Sequence, residues 1–163
     1  MLLRTLFAGV LALIIVGAVP AAIIEVAHAQ GVVAYCANTG NDDRVRPIPH
    51  ELVPAARRLF QWVSDLPSAS VEDNTAFRCM NGKIWLCNYG ANLLCAKGDV
   101  SRISKGAEAY CKELPGSDLV PMAATGHATI HTWECLGSKP RIRESKEVDI
   151  RGFITKQWQP LEQ

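Results

Sequence analysis

No C-x-x-C pair, no G-x-S-x-G elbow and no H-E-x-x-H run occurs in the 163 residues. The first absence removes the thiolate pairs of structural zinc sites, which usually stand two to four residues apart. The second removes the strained turn that carries the nucleophile of α/β-hydrolases. The third removes the two-histidine zinc helix with its glutamate base. An excess of charge of one sign is also lacking, since 17 Lys and Arg face 16 Asp and Glu. So slight a balance creates no field for nucleic acid or an anionic membrane, and any partner must be recognised by shape.

What is present begins with an address. Arg4 precedes an apolar run from Leu6 to about Ile24, and Ala27-His28-Ala29 supplies a small-residue cleavage signal before Gln30. This is the pattern of a secretory signal peptide, expected to be cleaved after residue 29. The alternative is an uncleaved membrane anchor, because the run is long enough to span a bilayer. Pro20, Glu25 and the A-x-A site favour cleavage, which leaves no membrane span. Residues 30–163 are then read as a single disulfide-rich α+β domain, periplasmic or secreted. A chain of this length buries about two-thirds of its unfolded surface, enough for a modest core.

Six cysteines, Cys36, Cys79, Cys87, Cys95, Cys111 and Cys135, all fall after the export segment. An even number in a small exported chain is the mark of a disulfide framework. Asn81-Gly82 locates the first piece of that framework. A type I′ turn needs positive φ at both central residues, and Asn-Gly tolerates it, so Phe77–Met80 and Lys83–Cys87 are expected to pair as a hairpin. Met80 then faces Lys83, Cys79 faces Ile84, Arg78 faces Trp85 and Phe77 faces Leu86. Alternation puts Cys79 with Phe77, Ile84 and Leu86, and Cys87 with Trp85 and Arg78 on the other face. The two cysteines therefore should not bond to each other, and the hairpin should be tied to two different neighbours.

A second hairpin is read in IHTWECLGSKPRI, with Gly137-Ser138 as a type II′ turn. Both hairpins share an aromatic-x-Cys lead into the turn and a Lys after it. A short helix capped by Ser104 or Ser101 is expected through Ala107, Glu108, Tyr110, Cys111 and Leu114, ending at Pro115-Gly116. Cys95 lies one compact loop before it, which makes Cys95–Cys111 the preferred pair among the possible connectivities. A first helix is expected over 49–63, with Pro54 in its opening turn. Segments 37–49 and 64–74 read as loops. VDIRGFITKQW alternates and is expected to add a last strand with a bulge at Gly152. The expected fold class is thus α+β: a small disulfide-stapled domain with antiparallel β-hairpins and two short helices.

For chemistry, TGHATIHTWEC is the most suggestive stretch, because His127 and His131 share a face in either a strand or a helix. Two imidazoles begin a metal site, but no third ligand stands nearby, and the plainer reading is a local hydrogen-bonding pair. No metal and no cofactor is expected. Trp85 opposite Arg78 reads as a cross-strand cation–π pair.

The run C-x-x-G-K-x-x-x-C-x-x-G-A-N-L-x-C from Cys79 to Cys95, then Asp99-Val100-Ser101-Arg102, T-G-H-x-T-I-x-x-W-x-C from Thr125 to Cys135 and D-x-R-G-F before Trp158 resembles a group of small exported, cysteine-rich proteobacterial proteins. The resemblance implies export and one disulfide domain, and no particular activity. A fainter one, carried by Cys79-Met80-Asn81-Gly82-Lys83 and by Thr125-Gly126 in place of a Ser-Gly motif, is to periplasmic inhibitors of C-type lysozyme. The functional expectation is an exported, non-enzymatic binding or structural module that meets a protein or cell-envelope component through Asn88, Tyr89, Asn92, Thr125, Gly126, His127 and His131. The alternatives are an inhibitor of a lysozyme-like enzyme and an envelope-polymer hydrolase using His127 or His131.

Overall fold

The computed structural model describes residues 31–90 and 94–162. Residues 1–29, expected to be a signal peptide, and Asn92 lie outside the described residues. The arrangement is α+β with three disulfides, as the patterning predicts, but it holds five helices among the described residues where two were expected.

Helix α1 (31–39) leads into strand β1 (Asp42–Pro47), a 3₁₀ turn (His50–Leu52) and helix α2 (Val53–Phe60). Helix α3 (Ser68–Asp73) then enters strands β2 (Thr75–Met80) and β3 (Lys83–Asn88). Helix α4 (Lys105–Glu113), helix α5 (Met122–Thr125), strands β4 (His131–Leu136) and β5 (Lys139–Ser145), a second 3₁₀ turn (Thr155–Gln157) and strand β6 (Trp158–Pro160) follow. One antiparallel sheet runs β1-β2-β3-β6, and β4-β5 forms a separate hairpin.

The first hairpin has the register expected from its turn: Met80 with Lys83, Cys79 with Ile84, Arg78 with Trp85 and Phe77 with Leu86. Asn81 and Gly82 have φ of 53° and 75°, the left-handed pair that a type I′ turn requires. In the second hairpin only Gly137 is positive, at 59°, in keeping with the type II′ assignment. Ser104 caps α4 by accepting a hydrogen bond from the Ala107 amide.

Four expectations are corrected. Segments 37–49 and 64–74 are not loops, for they contain β1 and α3. Strand β1, Asp-Asp-Arg-Val-Arg-Pro, shows no alternation because it is an edge strand with an irregular register between Asp42 and Arg46. The helix expected over 49–63 is divided into a 3₁₀ turn and α2. It stops at Gln61, which adopts a left-handed φ of 54°, and the Arg57 guanidinium donates to the carbonyls of Val63, Ser64 and Leu66 beyond the end. The last strand is not VDIRGFITKQW but Trp158–Pro160, which overlaps that stretch only at Trp158. Gly152, at φ 89°, turns a loop closed by the Val148–Ile154 bridge, and pairing with β3 starts only at Trp158. Finally, Cys95 bonds Cys87 rather than Cys111. The disulfides are Cys36–Cys79, Cys87–Cys95 and Cys111–Cys135.

Each disulfide sits in its own apolar cluster. Cys36–Cys79 lies with Ile48, Leu52, Val71, Phe77, Ile84 and Leu86, where the N-terminal helices cover one face of the sheet. Cys87–Cys95 lies on the opposite face with Ala76, Phe153 and Trp158. Cys111–Cys135 joins α4 to β4 beside Ala107, Val120 and Trp133. The expected split of Cys79 and Cys87 onto opposite faces therefore holds. Strand β2 is buried almost throughout because both of its faces are covered.

Helices α4 and α5 meet at Gly106, where an added Cβ would fall 1.8 Å from the Ala124 carbonyl oxygen. Alanine would gain about 1 kcal/mol of helix propensity, but overpacking against backbone costs about 1–3 kcal/mol, occasionally more. Gly106→Ala should therefore lower the unfolding free energy in urea despite being the better helix former. A stabilised variant would contradict the packing.

Candidate functional site

The described residues expected to bind are carried by different elements. Asn88 ends β3 opposite Thr75, and the Tyr89 amide donates to the Asn74 carbonyl. Tyr89 is exposed beside Pro47, Ile48, Glu72 and Asp73. Thr125 ends α5, and Gly126, at φ 89°, turns the chain so that His127 stands in solvent. Helix α5 rests on the Gly106 flank of α4.

His131 faces the other way. It is 7 % exposed, with Nδ1 2.7 Å from the Ser145 hydroxyl and Nε2 3.3 Å from the Val100 carbonyl. A carbonyl only accepts, so Nε2 donates and Nδ1 accepts from Ser145. The ring also meets Trp133 edge-on at 5.8 Å between centroids. Both nitrogens are engaged, joining Val100 to hairpin β4-β5, which leaves neither free for a metal. The two histidines do not share a face, because His127 lies in a turn before the strand begins.

The most unusual chemistry is buried. Arg78 is 1 % exposed in the middle of β2. Its guanidinium carbon lies 3.9 Å from the Phe153 ring centroid and 4.8 Å from that of Trp158, while Nη2 donates to the Asp149 carboxylate. The cation–π partner expected from the hairpin register, Trp85, is thus replaced by two aromatics from the C-terminal segment. Asp149 Oδ1 also accepts from the Arg151 and Phe153 amides. Burial pushes the Asp149 carboxyl up, but the Phe153 amide, Arg78 and the Arg151 amide outweigh it and hold it below the usual carboxylate value. The D-x-R-G-F motif is therefore a clamp: Asp149 shapes its own loop and neutralises Arg78, and Phe153 stacks on it. Its signal in the sequence was the motif itself, with an arginine standing among apolar strand residues.

Two further carboxylates act as braces. Asp42 takes hydrogen bonds from the Tyr35 hydroxyl, Arg46 and Arg44, which together hold it far below the usual carboxylate range and fasten α1 to β1. Asp43 is lowered first by Arg151 and also by Lys97, against the opposing effect of burial, and links β1 to the clamp loop.

A concave surface missed from the sequence lies between α4 and the tip of hairpin β4-β5. It is a groove of about 420 Å³ lined by Arg102, Ile103, Ser104, Glu108, Lys112, Trp133, Ser138 of the hairpin turn, and Lys139 and Pro140 at the start of β5. Ser104, Glu108 and Lys112 recur every four residues and so run down one side of α4, opposite the Gly106 flank that carries α5. Trp133, 3 % exposed, forms the floor, and its indole N–H has no hydrogen-bond acceptor. Among the described residues, Arg102, Lys112 and Lys139 form no ion pair. The signal was available only as the i, i+4 spacing on α4, since the turn that faces it arrives from a distant part of the chain.

Among the described residues no three His, Cys, Asp or Glu side chains gather into a metal-holding cluster, and no described helix is long and apolar enough to cross a membrane. The three disulfides fit a protein of an oxidising compartment. Compared with family models, curated proteins and solved structures, the chain matches none.

Proposed function

We propose that this chain is an exported, non-enzymatic binding module of the cell envelope, braced by three disulfides, and that it takes its ligand in the groove above Trp133. The observation that carries this reading is a concave site on which Arg102, Lys112 and Lys139 converge without an ion-pair partner among the described residues, whereas the ion pairs of Asp42, Asp43 and Asp149 brace the fold. Desolvating an unpaired cation against an opposite charge is worth more than adding a contact to one already paired. The export motif and the Cys79–Cys95 and Thr125–Cys135 patterns support the address.

The direct test is retention on a cell-envelope fraction. The purified chain should sediment with the fraction, and the charge reversal Lys112→Glu with Lys139→Glu should abolish this, while Lys156→Glu, outside the groove, should not. Equal retention of all three proteins would remove the groove from the reading.

The Thr125-Gly126-His127 corner, exposed at Gly126 and His127, supports a second reading, an inhibitor of a lysozyme-like enzyme. It would require that Gly126→Val relieve inhibition of such an enzyme while the groove variant retains it.

A further inference from the structure

Resting on the groove as the binding face, we propose that its ligand is an acidic oligosaccharide, a run of sugars bearing carboxylate or sulfate groups. The groove offers mainly donors: the guanidinium of Arg102, the ammonium groups of Lys112 and Lys139 and the Ser104 hydroxyl. The N-terminus of α4, at Ser104, adds its positive dipole end to the same side. A ligand rich in oxyanions satisfies this set. The one carboxylate, Glu108, sits between Ser104 and Lys112 on the helix and accepts, which suits a molecule that carries hydroxyl donors between its acidic groups.

Shape narrows the class further. From Ser104 to Lys112 the helix rises about 12 Å, the length of roughly two to three pyranose rings, so successive acidic groups would reach the cations at the two ends while hydroxyls meet Glu108. An acidic peptide fits less well. Extended peptides are held through main-chain bonds to a free strand edge, and here one wall is a helix, whose amides are bonded internally, while strand β5 enters the lining only through Lys139 and Pro140, the latter without an amide to donate. Its backbone would lie unpaired in the groove. Nucleic acid is disfavoured by the near-neutral balance of the whole chain.

The test uses the disulfide-intact protein and three probes of matched total charge: an oligogalacturonate, a heparin-derived oligosaccharide and an oligoglutamate. Titration is followed by calorimetry and by the Trp133 indole N–H resonance. One or both saccharides should bind, shift that resonance and lose affinity by about tenfold or more in the Lys112→Glu, Lys139→Glu protein, with the loss growing as salt is lowered. Which saccharide binds better separates carboxylate from sulfate recognition. Oligoglutamate binding as tightly as either sugar would overturn the saccharide class but leave the groove standing. No binding by any probe, with envelope retention still groove-dependent, would also overturn the class alone. Saccharide binding unaffected by the groove variant would overturn both.

Discussion

Asp149→Ala should cost about 3–5 kcal/mol of stability, because it strands a fully buried guanidinium without its counter-charge. Arg78 has nowhere to go: its Nε and Nη1 already lack hydrogen-bond partners and rely on the Phe153 and Trp158 faces. Three variants separate the contributions. Asp149→Asn keeps an oxygen for the Arg151 and Phe153 amides but removes the charge, so it should fall between wild type and Asp149→Ala. Arg78→Met combined with Asp149→Ala should recover part of the loss, since a buried pair is costly to break but far less costly to replace. Urea unfolding with the disulfides intact measures all three, and a loss below about 1 kcal/mol for Asp149→Ala would refute the clamp.

The same carboxylate sets a pH dependence. Asp149, like Asp42 and Asp43, is held below its ordinary value in the fold, so its contribution is present above the unfolded pKa of about 4 and is lost as pH falls through the lower folded value. Stability should decline on acidification below about pH 4, and Asp149→Asn should flatten that decline. A wild-type stability unchanged down to strongly acidic pH would contradict the assignment.

Removal of Cys36–Cys79 should have the largest effect of the three disulfides. It closes a loop with sequence separation 43, against 24 for Cys111–Cys135 and 8 for Cys87–Cys95. Loop-closure entropy gives about 4, about 3.5 and about 2.5 kcal/mol respectively. The first bond also fastens α1 into the largest apolar cluster, so its loss adds a packing defect to the entropic one. Paired Cys→Ala variants, compared by thermal and urea unfolding, should follow that order, and hydrogen exchange over 31–39 should rise most in Cys36→Ala, Cys79→Ala. If loss of Cys87–Cys95 proved the most costly, loop length would not be the controlling term.

Turn and cap chemistry was legible in the residues themselves. Asn81-Gly82 dictated a register to the residue, and that register sorted Cys79 from Cys87, because side chains alternate strictly along a strand once its turn is known. Ser104 announced the start of α4 for the same local reason. These features depend on a few neighbouring residues, whose dihedral preferences act before any core exists. Strand order, by contrast, is a packing outcome. Only the assembled sheet brings Trp158 beside Cys87, makes an edge strand of the unpatterned Asp42–Pro47, and places Phe153 rather than Trp85 against Arg78. Connectivity followed from the same assembly: Cys87 and Cys95 meet in the cluster that Ala76, Phe153 and Trp158 build on one face of the sheet, and Cys111 meets Cys135 because α4 lies on the second hairpin. The sequence determined a staple framework and the turns that shape it. The tertiary structure decided which cysteines meet, withdrew His131 into the interior, and formed the cationic groove from two segments that no local pattern joins, since burial and charge pairing depend on neighbours that only folding supplies.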